Sequence, residues 1–202
     1  MISGVFGLPG SGKSLFLGMI ADKAIHGRNI NSHGLFLGDV KKYNHVFTNF
    51  SCSGCFQLDY DKLGINNYHD CLILVDEIML LSDSRDYKNF SSNLNKFYSE
   101  HRKSDCDFIY ASQSYDDVDK RIRNRTQQLY YIRSSFFGTS RISRIDYYFD
   151  VSFGKINEGY RYAPVLTDYF FPRKKYYNLI DSKEIINFDY ENEPELIPWD
   201  SE

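Results

Sequence analysis

The chain is 202 residues long, which suits one α/β domain with a sizeable core. Hydrophobic residues make up 42% and charged residues 25%, which excludes an intrinsically disordered chain. The most apolar stretch, residues 71–81, is far too short to cross a bilayer and contains Asp76 and Glu77, which excludes a membrane span within these residues.

Residues 2–6 form a short apolar run ending at Gly7, the pattern of a first strand feeding a turn. From Lys13 to Ile25 apolar side chains fall on several sides, predicting a largely buried helix that Gly27 stops. A second strand is expected at 45–50, followed by a connecting excursion rich in Ser, Cys, Gly and Asn over 51–70. The run of leucines and β-branched residues at 71–75 reads as a strand buried on both faces of a parallel sheet. Tyr87, Phe90, Leu94, Phe97, Tyr98 and His101 recur at helical spacing, predicting an amphipathic helix of about four turns. Residues 107–112 read as another strand and 116–125 as a short polar helix. Strand and helix alternating in this order specify a parallel sheet with helices on its faces.

After Gln127 the pattern changes. The runs 129–133, 142–153 and 160–166 are rich in Tyr and Phe and divided by Gly138, Gly154 and Gly159, predicting hairpins that extend the sheet. Residues 1–135 are therefore expected to form the core, 136–188 a β-rich extension of the same domain, and 189–202 an acidic tail. Lys120, Arg121, Arg123, Arg125, Arg133, Arg141 and Arg144 follow one another without an intervening acid. Such a run is either a solvated strand-and-loop surface or a phosphate or DNA contact. Cys71 and Cys106 read as small core residues in a reducing compartment. Cys52 and Cys55 form a C-x-x-C with no second pair; His45 or His69 is the residue that would complete a metal site.

The chemistry is concentrated where the first strand meets the first helix. Gly7, Leu8, Pro9, Gly10, Ser11, Gly12, Lys13 and Ser14 match G-x-x-x-x-G-K-[ST], the phosphate loop, with Leu15 continuing into the helix. Glycines let the backbone wind so that its N–H groups converge on phosphates, and the helix N-terminus adds its positive dipole end. The expected ligand is ATP with Mg²⁺: Lys13 on the terminal phosphate oxygens, the Ser14 hydroxyl on the metal. Asp76 and Glu77, ending a buried strand, match the Walker B pattern, Asp76 as the metal's carboxylate and Glu77 as general base for water. Gln113, ending the next strand, is the candidate γ-phosphate sensor of an additional-strand P-loop ATPase. Thr48 and Asn49 also end a strand and are candidates to face the nucleotide. A further cation for the transferring phosphoryl group is sought among Arg102, Arg121, Arg123 and Arg125, acting from a neighbouring subunit.

With these residues in place, the chain resembles the zonula occludens toxin-like (Zot) family, the ATPases of filamentous phage assembly. The likeness rests on Gly7 to Ser14, Phe47-Thr48-Asn49, Leu74-Val75-Asp76-Glu77, Glu100-His101-Arg102, Asp107-Phe108-Ile109 with Ala111-Ser112-Gln113, and Asp117-Val118-Asp119 followed by Ile122-Arg123, and it covers about residues 1–135. It implies an α/β P-loop NTPase of RecA/additional-strand type, with a mostly parallel central sheet flanked by helices. It also implies the cytoplasmic ATPase domain of an inner-membrane protein, a ring-like homo-oligomer that works with other phage assembly proteins to extrude single-stranded phage DNA. Lys13, Ser14, Asp76 and Glu77 are the positions it points to for nucleotide and metal. Family members commonly continue into a transmembrane helix and an outer domain, neither of which lies within these residues. Two other readings compete: a small-molecule kinase, disfavoured by the lack of an Arg-rich lid, and a nucleotide-gated assembly module without turnover, against which Glu77 argues.

Overall fold

The computed structural model describes residues 1–27, 43–81, 92–152, 155–162, 169–180, 193–196 and 198. Within them, strands β1 (Ile2–Phe6), β2 (His45–Thr48), β3 (Phe56–Gln57), β4 (Cys71–Val75), β5 (Asp107–Ser112), β6 (Gln128–Ser134), β7 (Thr139–Ser152), β8 (Lys155–Tyr162) and β9 (Tyr169–Pro172) share one sheet. Helices α1 (Lys13–Ile25), α2 (Ser92–Glu100) and α3 (Lys120–Arg123) accompany it. The spatial order is β3-β2-β4-β5-β1-β6-β7-β8, with β9 also paired to β7. Every pairing from β3 to β6 is parallel, whereas β7 pairs antiparallel with β6, β8 and β9. This is an α/β P-loop fold, with β5 inserted between the strand that feeds the phosphate loop and the strand that ends in Asp76.

Period-two alternation divides the core into two layers. Leu72 and Leu74 of β4, Ile109 and Ala111 of β5, and Tyr130 and Ile132 of β6 join Phe16, Leu17 and Ile20 of α1 on one face. Cys71, Ile73, Val75, Phe108 and Tyr110 join Phe97 and Tyr98 of α2 and Ile122 of α3 on the other. The antiparallel strands extend the α1 layer: Phe171 of β9 is fully buried, its ring centroid 5.8 Å from that of Phe16. The segment after β9 then lies over α1, where a Cβ on Gly18 would sit 2.6 Å from Ile180 Cδ1.

Several predicted boundaries move. Residues 82–91 lie outside the described residues, so only the second part of the predicted 87–101 helix is seen, as α2. The polar helix expected over 116–125 shrinks to α3, because the Asp119 side chain accepts a hydrogen bond from the Arg121 N–H at 2.7 Å and so caps the helix just before Lys120. β3 and β9 were not predicted. β3 has only two residues, too few for a visible alternation, and β9 ends at a proline that its edge position tolerates. Of the acidic end, most lies outside the described residues.

Cys52 and Cys55 are buried in the α1 layer. The Cys55 thiol is raised by its hydrogen bond with Cys52 and by burial. Neither histidine joins them: His45 packs against Phe47 and Phe56, and His69 bonds to Asn67. No helix among the described residues is long and apolar enough to cross a membrane.

Candidate nucleotide site

Parallel pairing gathers the chemistry at one edge of the sheet. Phe6 lies opposite Ser112, Val75 opposite Tyr110 and Thr48 opposite Leu74, so Gly7, Gln113, Asp76 and Asn49 all leave the sheet at the carboxyl ends of their strands. The phosphate loop turns immediately there, with Ser11 N–H donating to Leu8 O at 3.1 Å. Gly7 must be glycine because a Cβ would lie 2.5 Å from the Ile132 carbonyl of β6. Gly12 has φ 101°, a conformation closed to other residues, and it precedes α1 without any side-chain cap. The first N–H groups of α1 are therefore left to a ligand, and α1 has no acid in its first turn to compete with an anion.

Lys13 is 5% exposed, and its Nζ donates to Gly7 O at 2.9 Å and Leu8 O at 3.4 Å. The same Nζ is 3.8 Å from Glu77 Oε1. Glu77 Oε1 also accepts from Gln113 Nε2 at 3.1 Å, while Glu77 Oε2 is buried with no hydrogen-bond partner. Glu77 adopts φ 48°, a left-handed conformation uncommon outside glycine, at the residue whose carboxylate meets Lys13 and Gln113. Asp76 is fixed through its backbone by Asn49, whose Oδ1 accepts from Asp76 N–H at 2.7 Å and whose Nδ2 donates to Asp76 O at 2.8 Å.

Burial holds the Asp76 carboxyl above the ordinary carboxylate range; the Ser14 hydroxyl that donates to it and the charge of Lys13 pull the other way. A half-buried carboxylate touching a hydroxyl, beside a second carboxylate with an orphaned oxygen, is an all-oxygen donor set. It suits a hard divalent cation whose remaining ligands are phosphate oxygens and water.

The structure thus brings together Lys13, Ser14, Asp76, Glu77 and Gln113. Leu15 packs partly buried against the α1-layer core. Thr48 departs from expectation: it is fully buried and donates to Phe50 O at 2.8 Å, so its hydroxyl serves the strand end. Asn49 spends both ends of its amide on the Asp76 backbone. Arg102 lies where β1 and β5 begin, beside Met1, Asp107 and Gln127, a strand length of about 16 Å from the phosphate loop of its own chain. Arg123 pairs with Asp116 at 3.1 Å and lies over the Tyr115 ring. Arg121 grips Asp119 with two nitrogens, and Arg125 bonds to Asn95 and Ser99 of α2.

Three residues escaped sequence reasoning. Arg173 Nη1 donates to Gly10 O at 2.9 Å, Ser134 Oγ to the same carbonyl at 3.4 Å, and Ser140 Oγ to Ser11 O at 2.6 Å. A Cβ on Gly12 would meet Ser140 Oγ at 2.7 Å and Arg173 Cδ at 3.2 Å. The antiparallel extension is thereby clamped onto the outside of the phosphate loop. A serine or arginine among Tyr-rich strands carries no motif, and only tertiary pairing across more than a hundred residues exposes these contacts.

The family model described as the ATPase family associated with various cellular activities (AAA) matches residues 4–134. A search of the curated proteins found no match. Among solved structures, the N-terminal domain of zonular occludens toxin from Neisseria meningitidis aligns with TM-score 0.52 at 17% identity, covering 89% of this chain and 98% of that one. The genome packaging NTPase B204 from Sulfolobus turreted icosahedral virus 2 aligns with TM-score 0.46 at 10% identity, covering 78% and 94%. The resemblance to the Zot family drawn from the motifs is thus matched at the level of the fold. With the matched span running from β1 through β6, and the phosphate loop and acid pair assembled at one edge, the chain belongs to the ATPase family associated with various cellular activities, the AAA family, and has a nucleotide-binding P-loop fold.

Proposed function

We propose that the chain is an Mg²⁺-dependent ATP hydrolase, the cytoplasmic motor domain of a filamentous phage assembly machine that extrudes single-stranded DNA. The observation that carries the hydrolase reading is the state of Glu77. One carboxylate oxygen is held by Gln113 and faces Lys13, and the other is buried without a partner. That second oxygen is the acceptor a water proton needs. Lys13 would exchange its loop carbonyls for phosphate oxygens, Ser14 and Asp76 are the residues that would hold a divalent metal, and Gln113 keeps Glu77 oriented. A cation bound there would supply charge neutralisation on the phosphates.

The motor reading takes its support from the resemblance to Zot-family motifs and from the fold shared with the toxin's N-terminal domain. The arginine that completes the charge on the phosphoryl group is assigned to a neighbouring subunit of a ring, Arg102 or Arg123 being the candidates. A chain that stays monomeric with a non-hydrolysable ATP analogue at high concentration would count against the ring. The decisive experiment compares phosphate release and nucleotide binding in two variants. Lys13→Ala is expected to lose both; Glu77→Gln is expected to keep binding and lose turnover by about 100-fold or more. Unchanged turnover in both would remove the site.

A further inference from the structure

The antiparallel extension presents a surface that the nucleotide site does not use. Register places Arg133 of β6 opposite Arg141 of β7, and Arg141 opposite Phe170 of β9. These three form one cross-strand row. Their neighbours Ile132, Ile142 and Phe171 alternate to the opposite side, where they are buried in the α1 layer, so the row faces away from α1. The Arg141 guanidinium carbon lies 5.8 Å from the Phe170 ring centroid, and that of Arg133 lies 5.9 Å from Tyr131. Phe170 is 53% exposed.

The turn that leaves β6 extends this face. Phe136 is 84% exposed and Phe137 fully exposed, and Arg133, Ser134, Ser135, Phe136 and Arg141 line a cleft of about 400 Å³. Phe137 has φ 57°, a conformation that disfavours a bulky residue. Two rings held in water, one of them on strained backbone, are unfavourable for folding and indicate a contact surface. Guanidinium groups match phosphodiesters, and open aromatic faces match unstacked bases; a duplex would hide its base faces from these rings. No acid intervenes from Lys120 to Arg144 to repel a polyanion.

We propose that the β6–β7–β9 face and the 135–138 turn bind single-stranded nucleic acid, Arg133 and Arg141 meeting phosphates and Phe136, Phe137 and Phe170 stacking on bases. The motor reading above makes that strand DNA, and the proposal rests on it for this identity. The same strands reach the phosphate loop through Ser134 and Ser140, so a strand seated here acts on Gly10 and Ser11 and stimulates turnover.

The test uses the full chain, a fluorescent oligothymidylate of about 20 nucleotides and a duplex of equal length. The first variant is Phe136→Ala with Phe137→Gly, which relieves backbone strain and leaves the fold intact; the second is Arg141→Gln. Wild type is expected to bind the single strand in preference to the duplex, with affinity falling as salt rises. The aromatic variant should bind at least tenfold more weakly, with basal turnover and KM for ATP unchanged, and the Arg141 variant should show a shallower salt dependence. Binding by the aromatic variant equal to wild type overturns the proposal. So does a raised KM for ATP with strand binding intact, which would assign the rings to the nucleotide's own base. A wild-type chain that binds no strand overturns it as well, while the Lys13 and Glu77 variants judge the hydrolase separately. Binding that is lost in the variant but never stimulates wild-type turnover upholds the surface and removes the motor.

Discussion

Gln113 and Lys13 both address one oxygen of Glu77, yet their removal should have different effects. On the proposed mechanism the buried Lys13 ammonium contributes to holding phosphate, whereas Gln113 only fixes the angle of the Glu77 carboxylate. A hydrogen bond to a charged group contributes about 1.5–3 kcal/mol. Gln113→Ala is therefore expected to lower kcat by about 10- to 100-fold while leaving the nucleotide Kd within about twofold, as read by single-turnover kinetics and titration. A Kd loss equal to the kcat loss would make Gln113 a binding residue instead. Ser140 and Arg173 donate to loop carbonyls, and on the proposed binding mode these bonds hold the peptide planes whose N–H groups would meet phosphate. Ser140→Ala leaves a buried carbonyl unsatisfied, and Arg173→Gln removes a charged donor. Each should weaken ATP and ADP to a similar degree, by about tenfold, with kcat at saturation little changed. Restoration of affinity by Arg173→Lys, but not by Arg173→Gln, would identify the charge as the operative feature.

At the scale of elements, the junction between β1 and α1 concentrates the constraint. Gly12 needs both a positive φ and the absence of a Cβ, since β7 and the residue after β9 close over it. Gly12→Ala introduces strain of about 1–3 kcal/mol from the backbone alone, before the contact with Ser140 is counted. The expected result is a lowered Tm together with loss of nucleotide binding; a variant that binds ATP normally would show that the loop rebuilds around the methyl group. Periodicity made the strands β1, β4 and β5 and the helix α1 legible, because each is buried on a face or faces that repeat every two or about 3.6 residues. It misplaced the start of α3, where a single aspartate cap outweighs the polar pattern, and it was silent on β9, whose Phe170 and Phe171 differ only in which side of an edge strand they occupy.

Across the whole molecule, the edge of the sheet remote from the loop carries its own titration. His101, following α2, is 4% exposed, and its pKa is lowered to about 4, chiefly by burial and then by the nearby N-terminal ammonium. Above its ordinary value of 6.5 it is neutral in both folded and unfolded chains and has no effect. Between 6.5 and 4 the unfolded chain takes up the proton first, so stability falls as pH drops through that window and levels off below it, as far as this group is concerned. Denaturant midpoints for wild type and His101→Leu should diverge in slope over this range, the variant being flatter; parallel profiles would refute the assignment.

The phosphate loop, the Asp76–Glu77 pair and Gln113 were all visible as local motifs, because each sits at the end of an apolar strand and a parallel sheet must bring such ends to one edge. The order of residues alone therefore determined the fold class and which of these residues meet at that edge. Only the tertiary structure decided the rest. Asn49 turned to the Asp76 backbone, Thr48 turned inward, and Arg102 came to lie at the far edge. Ser134, Ser140 and Arg173 closed on the loop. These outcomes depend on hydrogen bonds between residues distant in the chain, and the strength of such bonds is set by burial and geometry that no local spacing encodes.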